Sequence, residues 1–286
     1  MANPEVDDGQ LVRHANGGDH DALEQLVRRH QKWIYNVTVR MLAHPQDAED
    51  ATQEIFIKAL TRLSSFEGRS SFRTWLYRIA VNHVLNMKRG RVERETLTFG
   101  CYAHGLENTR DSDLPDARSV PVDVRLLVEE AKISCTSGML LCLDRGQRLV
   151  YILGEILDVG DAVGADLLEI SAENFRQRLS RARRNLHSFM NDECGLVNPA
   201  NPCRCAKKTR GFIQAGYVDP ANLLFAPARV KQVRQEVLGT ARVVATLDEQ
   251  CARVYREHPT YEPGDLAQAL RRLIDSNDVR HVVDLS

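Results

Sequence analysis

The chain has 286 residues, 43% hydrophobic and 27% charged, with a formal net charge of −1. This is the composition of an ordinary soluble globular protein with room for two or three compact units. No apolar run approaches the ~20 residues that span a bilayer, and the acidic opening MANPEVDDGQ lacks the basic n-region and apolar core of a secretory signal. The expected location is the cytoplasm, where the odd count of seven cysteines argues against structural disulfides. The charge is unevenly placed. Lys88-Arg89-Gly90-Arg91 and Arg181-Ala182-Arg183-Arg184 are basic, while Asp47-Ala48-Glu49-Asp50 is acidic. Local basic faces on a neutral whole suit a protein that touches nucleic acid at defined places.

Residues 10–95 carry helical periodicity with few breakers. Leu23, Leu26, Val27, His30, Ile34, Val37 and Met41 recur at three- and four-residue spacing and predict one apolar stripe. The segment Ala43-His44-Pro45-Gln46-Asp47 breaks that helix. Asp47 sits near a new start, where a carboxylate favours the positive end of the helix dipole. Ala51, Ile55, Ala59 and Leu63 give the second helix its buried face, and a loop at residues 66–70 leads to a third helix beginning at Phe72.

Residues 96–122 turn to Thr, Gly, Asn, Asp, Ser and Pro with little periodicity, as expected of a linker that is flexible or follows a partner's surface. Helices return over residues 123–190 and end in an arginine-rich stretch from Phe175 to Leu186. Residues 191–286 open irregularly with CGLVNPANPCRCAKKTRGF and close with helical patterns around 228–257 and 263–276, with Val230, Val233, Val237 and Val244 near helical spacing. There is no internal repeat and no strand-rich region. The predicted fold class is all-α.

Chemistry gathers first around the third helix. Phe66, Phe72, Trp75 and Tyr77 cluster beside Arg69, Arg73 and Arg78, followed by Asn82, Asn86, Lys88, Arg89 and Arg91. Aromatic faces stack on unpaired bases while cationic side chains hold the phosphates, which suits capture of single-stranded DNA. A plain core stripe accounts for much of Trp75, Leu76 and Ile79, but not for Phe66, Arg69 and Asn82.

The stretch FEGRSSFRTWLYRIAVNHVLNMKRGR resembles the promoter-melting, −10-reading segment of sigma-70 family proteins of the extracytoplasmic-function group. Upstream, DAEDATQEIFIKAL resembles the segment of that family which grips the clamp helices of the polymerase's largest subunit. The two lie in the family's order and spacing. The resemblance implies two helical domains, a region 2 bundle over 10–95 and a region 4 helix-turn-helix over 123–190, joined by the linker and followed by an extension over 191–286. It implies a sigma factor that binds core RNA polymerase and directs initiation at promoter DNA, with an anti-sigma factor as a further possible partner and no membrane insertion. Asp50, Gln53, Glu54 and Phe56 match the polymerase-binding helix. Phe66 and Asn82 match positions that help hold a flipped −10 base, whose unstacking costs a few kcal/mol. Arg69 and Arg73 share that surface and Trp75 supports its loop, while Arg78, Lys88 and Arg89 match contacts to phosphates of the upstream −10 duplex.

The second domain resembles the −35-binding region. Residues 143–153, LDRGQRLVYIL, match its opening helix, and Ile170-Ser171 read as the turn, with Ser171 at the N-cap. Glu173, Asn174, Arg176, Gln177, Arg178 and Arg181 fall on the recognition helix, where arginines read guanine edges or hold phosphates. Three positions depart from the family pattern. Val163-Gly164-Ala165 stands where Glu-Ile-Ala is usual, and Glu169 replaces the turn glycine; Gly160 and Gly164 lower the helix propensity of the support helix.

In the extension, Cys194, Cys203 and Cys205 lie close together, with His187 upstream, and are candidate zinc ligands. Cys-x-Cys is not the usual spacing, a fourth ligand has to be borrowed, and buried or free thiols in a capping segment are the competing reading. Cys101, Cys135, Cys142 and Cys251 are scattered singly and read as space-filling. The alternative to a sigma factor is a stand-alone helix-turn-helix regulator, which leaves the motifs before residue 95 unexplained. The chain has no P-loop, no Gly-x-Ser-x-Gly and only dispersed histidines, so enzymatic activity is not expected.

Overall fold

A computed structural model describes residues 7–88, 97–112, 122–225 and 246–275. Every regular element among them is helical. Helix α1 (Asp8–Asn16) leads into α2 (His20–Leu42), capped by Asp19, whose carboxylate accepts from the amides of Asp21 and Ala22. The expected apolar stripe of α2 is buried along its length, His30 included. The chain leaves α2 through Ala43 in the left-handed region (φ 51°) and re-enters a helix at Pro45, whose fixed φ suits a first turn. Helix α3 (Pro45–Leu60) ends before Leu63, which is buried from a short 3-10 turn (Leu63–Ser65) rather than from the helix itself. Helix α4 (Phe72–Asn86) starts on Ser71, whose hydroxyl accepts from the Thr74 amide. Leu11, Leu26, Ile34, Ile55, Leu76, Ala80 and Val84 are buried where these four helices meet.

Two short helices occupy stretches that read as irregular. Helix α5 (Phe99–Asn108) lies inside the expected linker, started by Thr98. Helix α10 (Cys205–Gln214) lies inside the Pro- and Cys-rich opening of the extension. Lys208 of α10 is buried, and its ammonium donates to the carbonyls of Leu106 (2.7 Å) and Thr109 (2.6 Å) at the end of α5. A polar buried residue hides the helix from periodicity.

Helix α6 (Val122–Leu141) packs on α2 and α10 and precedes the second unit. There α7 (Arg145–Tyr151), capped by Asp144, continues into a π turn (Ile152–Ile156), followed by α8 (Asp161–Leu168) and α9 (Ala172–Glu193). The Ser171 hydroxyl accepts from the Asn174 amide at 3.1 Å, as the sequence predicts for an N-cap. Phe175, Leu179, Ala182 and Leu186 form the buried stripe of α9. In the extension, α11 (Leu247–Arg256) begins with a capping box between Thr246 and Glu249, and α12 (Leu266–Asp275) packs on α2. Val230, Val233, Val237 and Val244 lie outside the described residues.

The two helical units touch directly. The buried guanidinium of Arg148 on α7 donates to the Met41 carbonyl (2.6 Å) at the end of α2, to the Leu140 carbonyl (3.1 Å) in the last turn of α6 and to the Leu143 carbonyl (3.1 Å) just after it. Arg145 donates to the Met87 carbonyl at 2.5 Å. The Met41 and Met87 carbonyls lie at the C-terminal ends of α2 and α4, where a helix leaves its last carbonyls without intrahelical partners.

Candidate polymerase and promoter interface

On α3 the side chains of Asp50 and Glu54 are exposed and Gln53 is half-buried, forming an acidic and amide-bearing face. Phe56 is different. It is 2% exposed and belongs to the core, so its side chain anchors the helix and does not present itself to a partner; the expectation of a polymerase contact at Phe56 is corrected. Glu54 lies 3.5 Å from Nε2 of His83 on α4. Burial lowers the His83 pKa, and the Lys58 ammonium, 2.7 Å from Nδ1, pushes the same way.

The aromatic cluster at the start of α4 is one packed group. Phe66 meets Trp75 at 5.4 Å between centroids and Phe72 edge-on at 5.8 Å, holding the loop against the helix. Phe66 and Trp75 stay half-buried while Phe72 is core. Trp33 of α2, which the sequence reading passed over, stacks on Tyr77 at 3.7 Å, and the Arg73 guanidinium lies 5.4 Å from the same Tyr77 ring. Arg69, whose side chain is 84% exposed, pairs with Glu67 in the loop. Asn82 is exposed, its carbonyl accepting from the Asn86 amide at 2.9 Å, and Lys88 is exposed at the helix end. Arg89 and Arg91 lie outside the described residues. Arg78 points away from this group, to Asp166 of α8.

On α9, Ser171, Glu173, Arg176, Gln177 and Arg181 are exposed and Asn174 and Arg178 half-buried, on the side opposite the Phe175 stripe. Local bonds hold several in place: Arg176 to Asp161 at 2.5 Å, Arg178 to Asn174 at 3.0 Å and Gln177 to Glu173 at 3.3 Å. The Arg176 guanidinium and the Ala162 amide hold the Asp161 carboxyl below its ordinary range. Arg183, within the same basic run, instead pairs with the buried Glu155 of the π turn. The family departures are accommodated. Glu169 takes the left-handed conformation (φ 54°) that a glycine would adopt freely. At Gly164 a Cβ would lie 2.4 Å from the Phe175 ring, so the glycine lets α9 approach α8.

The cysteines do not assemble into a ligand set: among the described residues no group of three His, Cys, Asp or Glu side chains is placed to hold a metal ion. His187, the upstream candidate, bonds Tyr151 (3.0 Å) and Asp248 (2.6 Å) through its two ring nitrogens. Burial, helped by the nearby Cys194 and Cys203, pushes the Cys205 thiol up to about 12. Cys101 is exposed and does not fill space, contrary to expectation. No helix among the described residues is long and apolar enough to cross a membrane.

The family model for sigma-70 region 2 matches residues 26–94, the span that carries α3 and α4. The RNA polymerase sigma factor CnrH of Cupriavidus metallidurans is 30% identical over 193 residues, which takes in 66% of this chain and 96% of the relative. The ECF RNA polymerase sigma factor SigW of Bacillus subtilis is 27% identical over 188 residues, 63% of this chain and 95% of its own. A solved structure of CnrH in complex with the cytosolic domain of CnrY overlays with a TM-score of 0.44 at 26% identity, covering 64% of this chain and 96% of that one. The region 2 match and these near-complete relatives place the chain in the sigma-70 family of RNA polymerase sigma factors, in its extracytoplasmic-function group.

Proposed function

We propose that this sigma factor divides its work between the two helical units. Residues 10–95 bind core polymerase through Asp50, Gln53 and Glu54 on α3 and open the −10 element with Phe66, Asn82 and the cationic side chains around them. Residues 123–190 read the −35 element through α9. The linker over 96–122 joins them, and the extension over 191–286 adds control. The observation that carries the reading is that one compact bundle presents the acidic face of α3 beside a half-buried Phe66–Trp75 platform and an exposed Asn82 on α4. An aromatic ledge next to a hydrogen-bonding amide suits a base taken out of the stack, and exposed arginines suit the phosphates. On α9, Arg176, Gln177 and Arg181 supply the long donors that reach base edges in a major groove. The protein contributes recognition and strand opening in the cytoplasm, and the bond-making chemistry belongs to the polymerase.

The test mixes the full chain with sigma-free core polymerase and genomic DNA fragments and maps transcription starts. Discrete new starts are expected. Asn82→Ala should reduce strand opening at the −10 element while leaving polymerase binding intact, and Arg176→Glu with Arg178→Glu should weaken binding to −35-bearing fragments. Specific duplex binding by the chain alone, with no polymerase complex, would move the protein to the helix-turn-helix regulators.

A further inference from the structure

The segment that follows α11 runs across the outer side of α2 and ends against α3. Tyr261 is 5% exposed. Its amide donates to Oδ1 of Asn36 at 3.1 Å, its carbonyl accepts from Nδ2 of Asn36 at 2.8 Å, and the Arg40 guanidinium lies 5.4 Å from its ring. Leu266, Ala267 and Leu270 of α12 are buried beside it. Charge matches along the seam: Glu262 with Lys32 at 2.5 Å, Asp265 with Arg28 at 3.4 Å, and Arg271 with both Asp21 (3.1 Å) and Glu24 (2.8 Å).

The far edge of this strap meets the face assigned above to polymerase. Pro263, Gly264, Asp265, Leu266 and Ala269 stand across a cleft of about 170 Å³ from Tyr35, Glu49, Asp50, Thr52 and Gln53. A helix with its side chains is about 10–12 Å across. Asp50 stays exposed at the rim of this cleft and Gln53 is half-buried in it. A cleft of that volume holds a few waters and not a partner helix, so a helix that grips both has to displace the edge of the strap. The strap is held by exposed ion pairs, each weak in water, by the two Asn36–Tyr261 hydrogen bonds and by the burial of Tyr261, Leu266, Ala267 and Leu270, a contact that a larger partner surface can replace.

We propose that residues 261–275 are an intramolecular cover over the polymerase-binding face, and that core polymerase and the cover compete for α2 and α3. The proposal rests on the reading that α3 takes polymerase. A covered face lowers apparent affinity by the fraction of molecules that are open.

The test measures binding of the labelled full chain to core polymerase for wild type, for the cover variant Glu262→Lys/Asp265→Lys/Arg271→Glu, and for Asp50→Lys in each background. The cover variant is expected to bind at least fivefold more tightly, and Asp50→Lys to weaken binding at least tenfold in both backgrounds. If Asp50→Lys weakens binding but the cover variant binds like wild type, the cover is overturned while the polymerase face stands. If Asp50→Lys binds like wild type, the polymerase face itself falls, and the cover with it. Hydrogen exchange gives a second readout on the wild-type chain. The Tyr261 amide should be protected in the free protein and lose that protection in the polymerase complex; retained protection overturns the proposal. Protection across α2 and α9 in the cover variant checks that it is folded.

Discussion

Arg78 on α4 and Asp166 on α8, 88 positions apart in the chain, form an ion pair at 2.5 Å, and Nε of Arg78 also donates to the Asp166 carbonyl at 3.2 Å. One guanidinium thus links the proposed −10 surface to the support helix of the proposed −35 unit. Both side chains are substantially solvated, at 32% and 52% exposure, so the pair stabilises the contact by no more than about 1 kcal/mol. A DNA phosphate offers the same fork an equally charge-assisted acceptor, and the exposed Asp166 pair is weak enough to give way to it.

Arg78 should therefore exchange its partner when promoter DNA binds. In the polymerase complex, Arg78→Ala is expected to lower promoter affinity and to reduce the slope of log K against log salt by about 1, the signature of one lost phosphate contact. Asp166→Ala should leave that slope unchanged. Fluorescence anisotropy across a salt series measures both, and an unchanged slope for Arg78→Ala would remove this residue from the DNA surface.

Glu169 sits in left-handed backbone at the end of α8, a conformation that costs an L-residue about 1–2 kcal/mol and glycine almost nothing. Glu169→Gly is expected to stabilise the protein by about 1 kcal/mol, less the added entropy of a glycine in the unfolded chain. Chemical denaturation followed by far-UV circular dichroism would show it as a higher midpoint with an unchanged slope. A lower midpoint would mean that the Glu169 side chain contributes more than the backbone strain removes.

Gly164 carries the opposite constraint. It lies on the inner side of α8, where an added Cβ would overlap the Phe175 ring at 2.4–2.5 Å, and Phe175 is fully buried. Gly164→Ala should raise helix propensity yet destabilise the protein by about 1–3 kcal/mol through overpacking. Combining it with Phe175→Leu should recover part of the loss relative to the sum of the single changes, a coupling that denaturation of the four proteins in the cycle would measure.

These cases also mark how far the fold could be read from the residues. The long elements were legible because their signals are local: the α2 stripe, the Pro45 break, the Ser171 cap and the Phe175 stripe each act within a turn or two. The short helices α5 and α10 were not. Ten-residue helices gain little from propensity and form through tertiary packing, and α10 depends on Lys208 reaching carbonyls about a hundred positions away. At the site, residue types and spacing picked out α3, α4 and α9, but not which side of each helix is buried, so Phe56 was placed with the contacts when it belongs to the core. The counter-ions of the arginines, Asp161 and Asp166, and the strap over α3 come from elsewhere in the chain. Nothing within the motifs themselves announces them.

His30 is buried between α1 and α4, with Nε2 2.9 Å from the Asp8 carboxylate and its ring edge-on to Phe72 and Tyr77. Burial pulls its pKa below the ordinary 6.5, and Asp8 offsets this only in part. His83 is lowered as well, by burial and then by Lys58, with Glu54 opposing. Both imidazoles are therefore harder to protonate folded than unfolded. Their contribution to stability is complete above the unfolded value near 6.5 and is lost as pH falls through the lower folded values. The melting temperature should hold between pH 8 and about 7 and decline below about 6.5, ahead of carboxylate titration. His30→Gln/His83→Gln should melt lower at neutral pH, since it loses packing, yet decline less steeply between pH 6.5 and 5. An equally steep decline in that variant would assign the acid sensitivity to groups other than these two histidines.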